Sequence, residues 1–239
     1  MKRLLAGGAC LALLLLAGAS GAAPITYQFT AMTTNESRGM EDGTGGFMSV
    51  DNPAERVFAA GTLISGQFTY DPSATGSPFG PEGSGATIFP AVSDFGGTAD
   101  GNTFSGPTGA VLIADNGTQI DQDPRDLFQV VAGDASDDFA GFTVNTGTRD
   151  FALNLVNLFF IEGATPYAPF ADGLPATLPP PTPEATRLRL GFDDLGAPGI
   201  VQLVFAEPVS LAVIPVPPAF ALFGSGLALL GWLRRRAAA

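Results

Sequence analysis

Phe151-Ala-Leu-Asn-Leu-Val-Asn-Leu-Phe-Phe-Ile161 is the strongest strand-like run in this chain. Phe151, Leu153, Leu155, Phe159 and Ile161 share one face of a period-two pattern, and Asn157 is the exception. The even positions are also fairly apolar, which predicts a central strand. Asn154 and Asn157 argue against a helix, because their side chains compete for backbone hydrogen bonds.

Working outward, Arg187-Leu-Arg-Leu-Gly-Phe192 alternates cleanly, with the arginines out and Leu188, Leu190 and Phe192 in. Gly61-Thr-Leu-Ile-Ser-Gly-Gln-Phe-Thr-Tyr-Asp71 places Ile64, Phe68 and Tyr70 on one face, and Gly66 allows close packing or a bulge. Further strands are predicted at 25–30, 87–93, 102–104, 109–114, 127–132, 139–145, 200–205 and 209–213, with long Gly-rich loops at 33–53 and 72–86. The segment 163–186 holds seven prolines and cannot pair inside a sheet, so it reads as a long loop between two strands. Together these predict an all-β fold: a single jelly-roll-like β-sandwich over residues 24–212, with long Gly/Pro loops.

Composition limits the chemistry. Between residues 24 and 214 the chain has 23 acidic and six basic residues, a net charge of −17, with no His, Lys or Cys. Ser-His-Asp, Cys-His and Ser-Lys mechanisms are therefore absent there. Such a field repels nucleic acid. A glycoside hydrolase needs two carboxylates alone, but the region offers few aromatic sugar platforms: no Trp, and Tyr27, Tyr70 and Tyr167. No cofactor is predicted, with calcium as the exception to weigh. Asp121, Asp123 and Asp126, and Asp134, Asp137 and Asp138, form two acidic clusters with the oxygen ligands Ca²⁺ takes. Neither has EF-hand spacing, and solvated turn residues are the plainer reading.

Both ends read as membrane-handling segments. Lys2 and Arg3, the apolar run Leu4–Ala17 and the small residues after it form a secretory signal peptide over 1–22. Cleavage fits after Ala19 or after Ala22. Cys10 lies inside the apolar run, so it leaves with the signal. At the other end, residues 213–239 combine a proline hinge, an apolar helix over 217–233 and the basic tail Arg234, Arg235 and Arg236. Seventeen helical residues reach roughly 25 Å, the low edge of a bilayer span. The arginines stay cytoplasmic by the positive-inside rule.

The order Ile214-Pro215-Val216-Pro217-Pro218-Ala219, then Ser225-Gly226-Leu227 within the helix, then the three arginines, resembles the PEP-CTERM sorting signal of Gram-negative bacteria. Val216 stands where that family has Glu. Gly66-Gln-Phe-Thr-Tyr-Asp71 is also similar to a strand common near the start of such ectodomains. The resemblance implies export across the inner membrane, transient anchoring, and handling by an exosortase-type membrane protease around Pro215–Ala219. It also implies final placement at the cell surface or in an exopolysaccharide matrix, in a structural or adhesive, non-enzymatic role. A plain tail anchor is the alternative for the C-terminal segment. A Ca-assisted glycan-binding module or a carboxylate-only hydrolase are the alternatives for the ectodomain.

Overall fold

A computed structural model describes residues 22–40, 47–80, 86–106, 108–117, 125–133, 139, 141–161, 173–182, 185–197 and 199–215. Its strands, numbered in chain order, are β1 (Ile25–Met40), β2 (Phe47–Ser49), β3 (Leu63–Tyr70), β4 (Ser77–Phe79), β5 (Ala86–Ala99) and β6 (Asn102–Ser105). They continue as β7 (Gly109–Gly117), β8 (Arg125–Ala132), β9 (Thr143–Asn145), β10 (Asp150–Ile161), β11 (Thr186–Asp194) and β12 (Val201–Val213). Among the described residues the one helical element is a 3-10 turn at Pro53–Glu55.

Every strand pair is antiparallel, and eight strands pair in a ring. β1, β3, β5, β7, β8, β10, β11 and β12 each bond to the next in sequence, and β12 returns to β1. This is an up-and-down closed sheet. The all-β expectation therefore stands, but the jelly-roll sandwich is corrected: there is one continuous sheet, without the crossing connections of a Greek key. Closure removes the free edges that two separate sheets would leave. Tracing partners once around gives Ile25, Tyr70, Val92, Gly109, Ala132, Val156, Leu190, Val204 and then Ser37. The path returns to β1 twelve residues further on, so the strands are strongly tilted.

Aromatic rings fill the interior. Phe68 stacks on Phe95 at 5.6 Å, and Phe29 lies 5.8 Å from Phe95. Phe104 meets Phe139 and Phe142 edge-on, and Phe58 meets Phe192 the same way. The excess of Phe, 19 against three Tyr and one Trp, follows from this. A sealed interior has no partner for a ring hydroxyl or indole N–H. Glycines make room for the rings: Gly66 and Gly97 pair across β3 and β5, and a methyl on Gly66 would lie 2.5 Å from Phe29 Cζ.

The two interior tyrosines sit where partners exist. At the end where β1 starts, the Tyr70 hydroxyl donates to the Pro175 carbonyl (2.5 Å), and Tyr27 Oη accepts from Leu178 N–H (2.8 Å). Buried Leu178 caps this end, so part of the Pro-rich connection is a plug. At the opposite end, Val57 and Phe58 are buried, and Gln202 fastens them. Its Oε1 accepts from Val57 N–H (2.7 Å), and its Nε2 donates to the Glu55 carbonyl (2.9 Å).

Several boundaries differ from the expectations. β1 runs on to Met40 through residues read as loop, because both β12 and β2 pair with that extension. β12 is one strand through Pro208, which sits at a register shift opposite Ala31, where its missing N–H is tolerated. In β10 a bulge between Leu153 and Leu155 switches the faces. Phe151 and Leu153 point in, then Val156, Leu158 and Phe160, which are all buried in the core. Leu155, Asn157 and Phe159 are therefore turned outward, against the odd-position face predicted from the sequence.

Candidate functional site

The sequence-predicted residues divide as follows. Pro215 is described and exposed. Val216, Pro217, Pro218, Ala219, Gly226, Arg234, Arg235 and Arg236 lie outside the described residues, as do residues 1–21 of the predicted signal peptide 1–22. Asp121, Asp123, Asp134, Asp137 and Asp138 also lie outside them. Asp126 belongs to β8, and nothing is described of its side chain. β8 separates the two acidic clusters along the chain and, at roughly 3.3 Å per residue, spans about 25 Å. Among the described residues, no three His, Cys, Asp or Glu side chains gather to hold a metal.

The start of β1 and the end of β12 do come together. Tyr27 pairs with Val213, and Ile214 N–H donates to the Thr26 carbonyl at 2.8 Å. The exposed Pro215 follows at once, and a proline there has no N–H to continue the ladder. Strand pairing thus ends where the proline hinge begins. The residues that would follow signal cleavage, Ala23 and Pro24, enter β1 beside it.

Sequence reasoning missed a second feature. An open groove of about 810 Å³ crosses the outer face of β5, β7, β8, β10 and β11. Ile88, Leu112, Val131 and Leu155 give it aliphatic walls, and exposed Phe79 of β4 stands at it. Polar groups converge on its lining: Gln129 from β8, Asn157 from β10 and Arg189 from β11. Asn157 is the register partner of Arg189, so these side chains are cross-strand neighbours.

The hydrogen bonds there are incomplete. Asn157 Nδ2 donates to Gln129 Oε1 at 2.7 Å, and both side chains are buried, 2% and 4% exposed. Asn157 Oδ1 is buried with no partner, and so is Arg189 Nε. The guanidinium lies over the Phe159 ring, 4.6 Å from its centroid. Burial lowers the Arg189 pKa, and among the described residues no carboxylate offsets it. The group remains a cation, since a guanidinium holds its proton far above neutrality.

Arg149, by contrast, is paired: its Nη1 donates to Asp194 Oδ2 at 2.7 Å. Asp193, on the other side of Gly191 from Arg189, has its pKa raised by burial and partly restored by the bond from Asn154 Nδ2 (2.7 Å). The sequence assigned Arg189 to solvent because a strand arginine facing away from the core is usually hydrated. The available signal was Asn157, the residue that broke the alternation of its strand.

No protein-family model, no curated protein and no solved structure matches this chain.

Proposed function

We propose that this chain is an exported, non-enzymatic surface or extracellular-matrix protein, sorted through its PEP-CTERM-like tail by an exosortase-type system. The observation that carries the reading is the junction at Ile214 and Pro215. The last ladder bond, to Thr26, directly precedes the proline hinge. Both targeting segments therefore leave from the same end of the closed sheet. Until processing, the barrel would stand on that end at the periplasmic face of the inner membrane, and cutting within Pro215–Ala219 would release it with all its strand pairs intact.

The pattern of faces supports export as a water-exposed body. The interior is Phe- and Leu-rich, whereas Thr30, Ser65, Gln67, Thr98 and Ser210 lie outside, several joined by cross-strand hydroxyl contacts. A lipid-embedded barrel has the reverse arrangement, apolar outside and polar within. A filled interior also favours a structural or adhesive role over a lumenal binding pocket.

The test is the intact mass of the protein from its native cells. The expected mass lacks residues 1–19 or 1–22 and everything beyond the Pro215–Ala219 region. A mass that retains Trp232 and Arg234–Arg236 would make this a tail-anchored protein and end the sorting proposal.

A further inference from the structure

We propose that the outer groove at Gln129, Asn157 and Arg189 binds a carboxylated sugar, one uronate residue of a polysaccharide. This rests on the matrix reading above and names the ligand class for it. The site is set by unsatisfied groups. Arg189 Nε and Asn157 Oδ1 are both buried and unpaired, one a cationic donor and the other a neutral acceptor. A buried donor or acceptor without a partner is costly, so the pair is complementary to a ligand that brings an anionic acceptor and a donor side by side.

A uronate at the non-reducing end of a 1,4-linked chain presents that combination, a carboxylate and the adjacent free hydroxyl at C4. The carboxylate takes the edge of the guanidinium, whose face is already covered by Phe159. The hydroxyl donates to Asn157 Oδ1, which a side-chain rotation at the groove wall first uncovers. Gln129 has its oxygen committed to Asn157, which leaves its amide nitrogen for a further sugar oxygen. Ile88, Leu112 and Val131 offer aliphatic surface to the C–H face of the rings. An extended peptide fits less well. The strands β5, β7, β8, β10 and β11 are each paired on both sides, which leaves a peptide only the outer edge of the three-residue β4 to join.

The negative charge of the whole domain gives the binding a distinctive salt response. The many acidic side chains repel a polyuronate at long range, and salt screens that repulsion over about 10 Å at 0.1 M. The contact at Arg189 is partly desolvated and is screened less. Raising NaCl from about 10 to 150 mM should therefore preserve or strengthen binding, the reverse of capture by an exposed basic patch.

The experiment is calorimetric titration of the protein, in EDTA, with tetragalacturonate and with uncharged maltotetraose. Tetragalacturonate should bind and maltotetraose should not. Arg189→Met keeps the aliphatic bulk on Phe159 and should weaken tetragalacturonate binding roughly 10- to 100-fold. Arg187→Met, on the same strand, should change it less than about twofold. Asn157→Asp gives Arg189 an internal carboxylate and, with the Gln129 amide turned over to donate to it, keeps the buried groups paired, so it should abolish binding; it keeps the test decisive should Arg189→Met misfold. Absence of tetragalacturonate binding, equal binding of maltotetraose, or full binding by a folded Arg189→Met or Asn157→Asp protein would overturn the proposal. Binding by a protein whose intact mass retains the tail would leave the groove standing and remove only the sorting reading.

Discussion

Replacing Gly66 by Ala tests whether the interior is packed as tightly as its rings imply. Gly66 lies on β3, facing inward, where its backbone is compatible with any residue. The new Cβ would lie 2.5 Å from Phe29 Cζ, 2.7 Å from Phe29 Cε1 and 2.6 Å from the Gly96 carbonyl oxygen. None of these can yield cheaply. Phe29 is held against Phe68 and Phe95, with centroids at 6.3 and 5.8 Å, and the Gly96 oxygen belongs to the neighbouring strand. Overpacking of this kind costs about 1–3 kcal/mol. Against it stands about 0.4–1 kcal/mol gained because Ala restricts the unfolded chain. With both contacts stiff the cost sits in the upper half of its range, about 2–3 kcal/mol, and the net is a loss of roughly 1–2.5 kcal/mol, a fall in Tm of roughly 2–10 °C for a domain of this size.

Thermal melts followed by near-ultraviolet circular dichroism, with urea titration for the free energy, read this directly. The sign is the discriminating result, because a roomy interior would make the same substitution stabilising. Combining it with Phe29→Leu should recover part of the loss, so that the pair departs from additivity by about 0.5 kcal/mol or more. An unchanged or raised Tm, or strict additivity of the two substitutions, would refute the packing argument.

Gln202→Ala removes the acceptor of Val57 N–H and the donor to the Glu55 carbonyl, leaving the buried Val57 N–H unpaired. It should cost about 1–3 kcal/mol in urea unfolding and expose residues 53–58 to protease first. Burial, the first cause at both sites, pushes the Tyr27 and Tyr70 hydroxyls above the usual tyrosine range, and the charges of Tyr27 and Asp71 add to the rise at Tyr70. The folded state therefore holds these protons more tightly than the unfolded chain, so stability should decline as pH rises above about 10, the unfolded value. Phenolate absorbance from both residues should appear together with unfolding; their ionisation at pH 10 in a protein that stays folded would contradict the buried contacts to Pro175 and Leu178.

The residue pattern alone determined that the chain is all-β, because alternation such as Arg187–Phe192 records which residues face away from water, and that is a local property. It also carries the proposed order of signal, ectodomain, hinge, apolar helix and basic tail, which is read from composition and length, its two end segments lying outside the described residues. Ring closure was not legible. Whether eight strands form two sheets or one circuit depends on which strand meets β12, and only the pairing of β12 with β1 and of β10 with β11 decided it. Nor could the sequence reveal the bulge at Leu153 and Leu155, because a one-residue shift exchanges the faces of a strand that is apolar on both. That bulge turned Asn157 outward and set it beside Arg189 and near Gln129, residues 32 and 28 positions away from it. A binding constellation drawn from three strands exists only once register brings them together, and register is fixed by the packing of the whole barrel.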